Sequence, residues 1–281
     1  MRQFKSGFLF VICAATISAC GNSNQSEVSR ALDGVNVVDE SNLNDIMLTV
    51  ADPNEAVVYF QRATQQQPER LDLQRGLGKS LIRANRGTEA SIIYSKIIVH
   101  EEATNEDSVD YADALIRNGQ WDKAEESLDA IPPTYETFKR YRLEAMIADG
   151  NKEWKKADSF YETAVGMTTQ PGSVLNNWGY SKLTRGDYGD AERLFGEAIT
   201  YDPSLFTAKN NIVLARGAQK NYDLPIMQVS QVERAQLLHT MALTAVKQGD
   251  IEIGKELLHQ AIELHPQHFD AAVRSLAALE A

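Results

Sequence analysis

The sequence predicts an all-α solenoid of stacked antiparallel helix pairs, closed by a C-terminal capping helix. Three observations carry this prediction. A pattern of small and large residues recurs along most of the chain at about 34 residues, the length of one helix–turn–helix unit. Within the copies, apolar residues fall three and four apart between helix-start and helix-stop chemistry, such as Asp52-Pro53 at a start and Gly186 and Pro203 at stops. The last stretch, FDAAVRSLAALEA, is amphipathic and suits the open end of a stack whose units cover only their neighbours.

Residues 1–19 read as an export signal. Arg2 and Lys5 form a basic start, and GFLFVICAATI is an apolar run too short to span a bilayer. The run ends in Ile17-Ser18-Ala19-Cys20, which resembles a bacterial lipobox and implies cleavage before Cys20 and lipidation of its sulfur. Stable anchoring follows from several acyl chains, each buried methylene contributing about 0.8 kcal/mol. Gly21 after the cysteine implies sorting to the outer membrane, on its periplasmic face. Cys13 leaves with the signal, so no free thiol remains for a disulfide, a metal or a nucleophile. Residues 20–41, polar and aperiodic, are expected to form a flexible tether with a mean end-to-end distance of about 25 Å.

The chain of 281 residues is 43% hydrophobic, with 28 Lys and Arg against 39 Asp and Glu, giving a net charge of −11. Loss of Arg2 and Lys5 leaves 26 basic side chains and a charge of −13. Such a balance argues against nucleic-acid binding, which needs a concentrated basic face.

The repeats are expected to occupy residues 42–224, with a final repeat and the cap in 225–281. The first copy supplies a second helix, with Asp52 as N-cap, Pro53 in the first turn, and Ala56, Phe60 and Ala63 inside. Next, RGLGKSLIRANRGTEASIIYSKII places Leu77, Gly78, Ala90 and Tyr94 at the pattern positions, so Gly78 is read as the glycine where two helices cross. Two further copies follow, with Gly119, Trp121 and Ala124, then Gly150, Trp154 and Ala157; the turn after Gly150 is expected to carry about two extra residues. The clearest copy is LNNWGYSKLTRGDYGDAERLFGEAITYDP, where Trp178-Gly179, Gly186, Tyr188, Ala191, Phe195, Ala198 and Pro203 match the signature of a tetratricopeptide repeat (TPR). The chain thus resembles a right-handed TPR solenoid of antiparallel helix pairs. After the next first helix the pattern breaks, because Pro225 stands three residues after Tyr222 where an alanine is expected and stops the second helix. Helix is expected to resume at Ser230, with Glu233 completing a capping box. The last copy carries Met241, Ala242, Gly249, Gly254, Leu258, Ala261 and Pro266.

Catalytic constellations fail on stated requirements. The run Gly76-Leu77-Gly78-Lys79-Ser80 ends like a phosphate-binding loop, but Leu73 stands where its first glycine belongs and no strand precedes it. His100-Glu101 opens like a zinc-binding pair, yet Thr104 replaces the second histidine. The histidines His239, His259, His265 and His268 gather near the end, where solvated surface positions explain them without a metal. The chain is therefore read as a non-enzyme with no cofactor, metal or small-molecule substrate.

The surface left for function is the groove that the first helices of such repeats line. Asn176-Asn177 and Asn210-Asn211 occupy equivalent places in successive copies. Two readings stand: the amides bond a bound peptide backbone in register, or they follow the repeat pattern and meet water and neighbouring helices. Arg75, Lys79 and Arg83, spaced four apart, form a basic strip that either receives an acidic partner or pairs with surface charges.

With the lipobox at Cys20, the copy NNWGYSKLTRGDYGDAERLFGEAITYDP and the terminal ERAQLLHTMALTAVKQGDIEIGKELLHQAIELHPQHFDAAVRSL, the chain resembles the TPR lipoproteins of tight-adherence (Tad/Flp) pilus assembly, TadD type. The resemblance implies an outer-membrane scaffold that helps build the pilus secretin. A general outer-membrane TPR adaptor for envelope hydrolases or another secretion system is the alternative within the binding class.

Overall fold

The structure, a computed structural model, describes residues 42–280; the signal segment, Cys20 and the tether lie outside them. The described residues contain helices and no strand, and no helix among them is long and apolar enough to cross a membrane. The chain falls into two compact units, Met1–Ser80 and Leu81–Ala281.

In the first unit, α1 (42–49) precedes α2 (Pro53–Gln66), and α3 (Leu71–Arg83) begins. The Asp52 carboxylate caps α2 by accepting the N–H groups of Asn54 and Glu55 at 2.8 and 3.3 Å. Ala56, Val57 and Phe60 turn inward. Gly76 presses on that face, since a Cβ there would stand 2.3 Å from Phe60 Cε1. The GLGKS run thus lies inside α3, where the Ser80 hydroxyl donates to the Gly76 carbonyl at 2.8 Å. It is Gly76 that meets Phe60; Gly78 is buried in the same helix.

In the second unit, α4 (Gly87–Ile97) is followed by the pairs α5 (Asn105–Arg117) with α6 (Trp121–Asp129), α7 (Phe138–Gly150) with α8 (Trp154–Gly166), and α9 (Gly172–Thr184) with α10 (Tyr188–Tyr201). Then come α11 (Phe206–Ala218), α12 (Gln231–Lys247), α13 (Ile251–Leu264) and α14 (Asp270–Glu280). The small residues are where the pattern puts them: Ala90, Ala124, Ala157, Ala191 and Ala198 are fully buried. A Cβ on Gly179 would lie 2.7 Å from Phe195 Cε1, so that crossing admits nothing larger than glycine without movement.

Each first helix ends the same way. A residue with left-handed backbone closes it: Asn85, Gly119, Lys152, Gly186, Lys220 and Gly249, at φ of 57, 72, 61, 88, 59 and 86°. The next N–H then bonds the carbonyl five residues back, as in Asp187 to Lys182 at 2.9 Å and Glu153 to Ala148 at 2.8 Å, a Schellman closure. This corrects one expectation: the turn after α7 has no extra residues, because Gly150 is the last helical residue and Lys152 takes the left-handed place.

After Lys220 the second helix is missing. Residues 221–230 are irregular, with Tyr222, Leu224, Met227 and Val229 packed on the core and Ile226 fully exposed. Helix resumes at α12 under a capping box: Ser230 Oγ accepts the Glu233 N–H at 3.1 Å, and Glu233 Oε2 accepts the Ser230 N–H at 2.7 Å. At the end, α14 lays Ala272 and Leu276 into the core shared with α12 and α13.

Candidate functional site

Within the second unit, the first helices α5, α7, α9 and α11 are successive neighbours. Polar side chains join them to each other and to the second helices. Asp113 on α5, 4% exposed, faces Arg117, Lys139 and Arg142 at 2.8, 3.0 and 3.5 Å. Burial works to raise its pKa, but the three cations outweigh it and hold the carboxyl below the usual range. Asp110 accepts from Lys139 at 2.6 Å and from the Tyr94 hydroxyl at 2.9 Å. On α8, Asp158 accepts from the Trp178 indole at 2.6 Å and pairs with Lys182 and Arg185; these contacts again overcome burial and lower its pKa. Glu192 meets Arg216 at 2.6 Å, and the buried Lys209 meets Glu233 at 3.1 Å.

Asp149, near the end of α7, differs from these. It accepts a bond from the Ser181 hydroxyl and has no ion pair among the described residues. Burial therefore prevails and raises its carboxyl above the usual range, with the Ser181 bond and the field of Arg185 opposing it.

Asp149 opens into a cavity of about 430 Å³ over α7, α9 and α11. Met146, Gly150 and Tyr161 line it from α7 and α8; Asn176, Asn177 and Tyr180 from α9; Thr207 and Asn211 from α11; and Trp121 from α6. Trp121 and Tyr180 are 40% and 52% exposed.

The structure thus brings together three of the four asparagines singled out in the sequence. Asn211 donates to Asn176 Oδ1 at 3.0 Å, which satisfies part of this buried pair internally, while Asn177 is half-buried at the cavity wall. Asn210 is not in the lining and accepts from the Thr240 hydroxyl at 2.8 Å. Arg75, Lys79 and Arg83 lie on α3, outside this lining. Sequence reasoning missed Asp149, Tyr180 and Thr207. Trp121, named in the sequence only as part of the repeat pattern, stands at the cavity, whereas the corresponding Trp154 lies under the Arg185 guanidinium at 5.4 Å.

A larger cavity, about 730 Å³, lies in the first unit against α1 and α2. Its walls are mostly apolar, and its Asn44 is already bonded to the Tyr59 hydroxyl at 2.8 Å. The C-terminal histidines are engaged locally: His239 lies 3.1 Å from the Ser275 hydroxyl, and His265 packs on the Phe269 ring at 4.8 Å. Among the described residues no three His, Cys, Asp or Glu side chains are placed to hold a metal ion. Thr104, in the place of a second zinc-binding histidine, caps α5.

No family model and no curated protein matches the sequence. Solved structures do match in shape. A TPR protein from Parabacteroides merdae superposes with a TM-score of 0.53 at 13% identity, over 92% of this chain and all of that one. A dimer of human IFIT1 with m7Gppp-AAAA gives 0.59 at 14% identity, over 84% of this chain and 61% of that one. The APC/C hetero-tetramer Cut9-Hcn1 gives 0.58 at 16% identity, over 81% of this chain and 46% of that one. The chain spans about half the length of these last two. At such identities the likeness concerns the fold, which is that of the TPR solenoids.

Proposed function

We propose that this chain is a non-catalytic adaptor that binds protein segments on its first helices and is held by lipid on Cys20 at the periplasmic face of the outer membrane. There it serves assembly of the Tad/Flp pilus machinery, as a pilotin-like aid to the outer-membrane secretin. The observation that supports binding is the groove over α7, α9 and α11, where amides and a hydroxyl stand beside exposed aromatic rings. Amides pair with an extended backbone, and rings receive its side chains at little entropic cost. The lipobox and the resemblance to pilus lipoproteins support the location and the client.

The test is copurification. The chain is tagged at its C-terminus, extracted from outer membranes in mild detergent, and compared with Asn177→Ala/Tyr180→Ala, which leaves the Asn211–Asn176 bond intact. Recovery of a secretin with the wild type alone supports the whole reading. Envelope hydrolases or parts of another secretion system in its place would sink the pilus assignment and keep the adaptor. Equal recovery by the variant would remove the groove. In the same preparation Cys20→Ser should leave the membrane fraction; retention there contradicts the anchor.

A further inference from the structure

We infer that the groove selects a basic side chain, lysine or arginine, carried on an extended segment of the partner protein. This rests on the adaptor reading above and deepens it. The argument begins with charge pairing. Asp110, Asp113, Asp158 and Glu192 each hold a cation of the chain itself, whereas Asp149 holds only the neutral Ser181 hydroxyl. A half-buried carboxylate with no cation in contact is costly, a cost that the more distant Arg185 offsets only in part, and a cation brought by a ligand removes the rest. The raised pKa of Asp149 is the same unmet demand seen from the proton's side.

The surroundings suit a long cationic side chain. Trp121 and Tyr180 present exposed rings to the cavity, and ring faces attract ammonium and guanidinium groups while covering their alkyl stems. Asn177 and Thr207 supply polar atoms for the backbone that carries the side chain. The net charge of −11 favours encounter with basic segments, an effect on association rate more than on final affinity. An acidic segment would set its carboxylate against Asp149 and is disfavoured by the same reasoning.

The full chain, immobilised, is used to select from a displayed library of random heptapeptides. Enriched sequences are then synthesised with the basic residue kept, replaced by norleucine, or replaced by glutamate, and titrated by fluorescence anisotropy. Enrichment of lysine or arginine is expected, with at least tenfold weaker binding of the norleucine peptide. Asp149→Asn, which keeps an oxygen for the Ser181 bond, should bind the charged and norleucine peptides alike; Tyr180→Ala should weaken both. Enrichment without a basic residue, or a preference that survives in Asp149→Asn, overturns the inference and leaves the adaptor standing. No enrichment of any sequence overturns both.

Discussion

Gly179 and Gly150 are both helical glycines, yet space separates their roles. A methyl group on Gly179 would sit 2.7 Å from the ring of Phe195, a side chain with no exposure; nothing lies within 4 Å of the same position on Gly150. Helix propensity favours alanine over glycine by about 1 kcal/mol in both cases, and overpacking a filled core costs about 1–3 kcal/mol in the first only. Thermal melting should therefore show Gly179→Ala less stable than wild type and Gly150→Ala as stable or more so. A more stable Gly179→Ala would mean that the Phe195 ring yields freely. Asp149 makes a second contrast. Its pKa is raised in the fold, so whatever stability it contributes belongs to the protonated form, is present below its unfolded pKa and is lost as pH rises through the folded value. Asp149→Asn should consequently raise the melting temperature at neutral pH while removing the groove's preference for cations. A lower melting temperature at that pH would show that Asp149 is a structural anchor rather than a strained binding group. No sequence pattern separates Asp149 from Asp113 or Asp158, because the difference is which cations the packing delivers. The asparagines were legible in part: their spacing marks them as equivalent, but helix rotation decides that Asn211 faces Asn176 while Asn210 faces Thr240.

Helix ends show the opposite balance, since their chemistry is local. Asp52 before Pro53, Ser230 before Glu233 and the break at Pro225 were all legible because cap, capping box and proline act over a few residues. The turn after α7 was misread for a related reason: glycine is the usual mark of left-handed backbone, and at this turn Lys152 occupies it at φ 61°. Left-handed backbone costs a residue with a side chain about 1–2 kcal/mol, so Lys152→Gly should be neutral or stabilising by up to about 1 kcal/mol in urea unfolding. A clear loss would locate a needed contact in the lysine side chain. The start of α12 has a sign-definite pH dependence. The Ser230 N–H, and after it Lys209, hold Glu233 below the usual carboxylate range against the pull of burial. Its contribution is thus present above the unfolded pKa of Glu and lost as pH falls through the lower folded value. Ser230→Ala should cost about 1–2 kcal/mol at neutral pH. That difference from wild type should shrink on acidification; a difference that stays constant would detach the cap from Glu233.

At the scale of the molecule, repeats stabilise one another only through their neighbours, so the end of the row carries an exposed-face problem that the interior does not. The recurrence at about 34 residues made the stack legible. The detailed groove was not, because it depends on how three first helices combine their faces. The second unit meets the end problem with α14, which buries Ala272 completely and Leu276 to 9% exposure against the core reaching α12 and α13. Burying a leucine contributes about 1.5–3 kcal/mol, and removing α14 also uncovers the apolar surface on which Leu276 rests. A chain ending at His268 should therefore melt at lower temperature than the full chain and elute as larger, concentration-dependent species in size-exclusion chromatography. Apolar faces of this kind drive association when left open. Leu276→Asp in the full chain separates the two causes: it should reproduce the instability, and the self-association only to the extent that α14 detaches. If the truncated chain stays monomeric with an unchanged melting temperature, α14 is a passenger, and the stability of the last repeat must come from α12 and α13 alone.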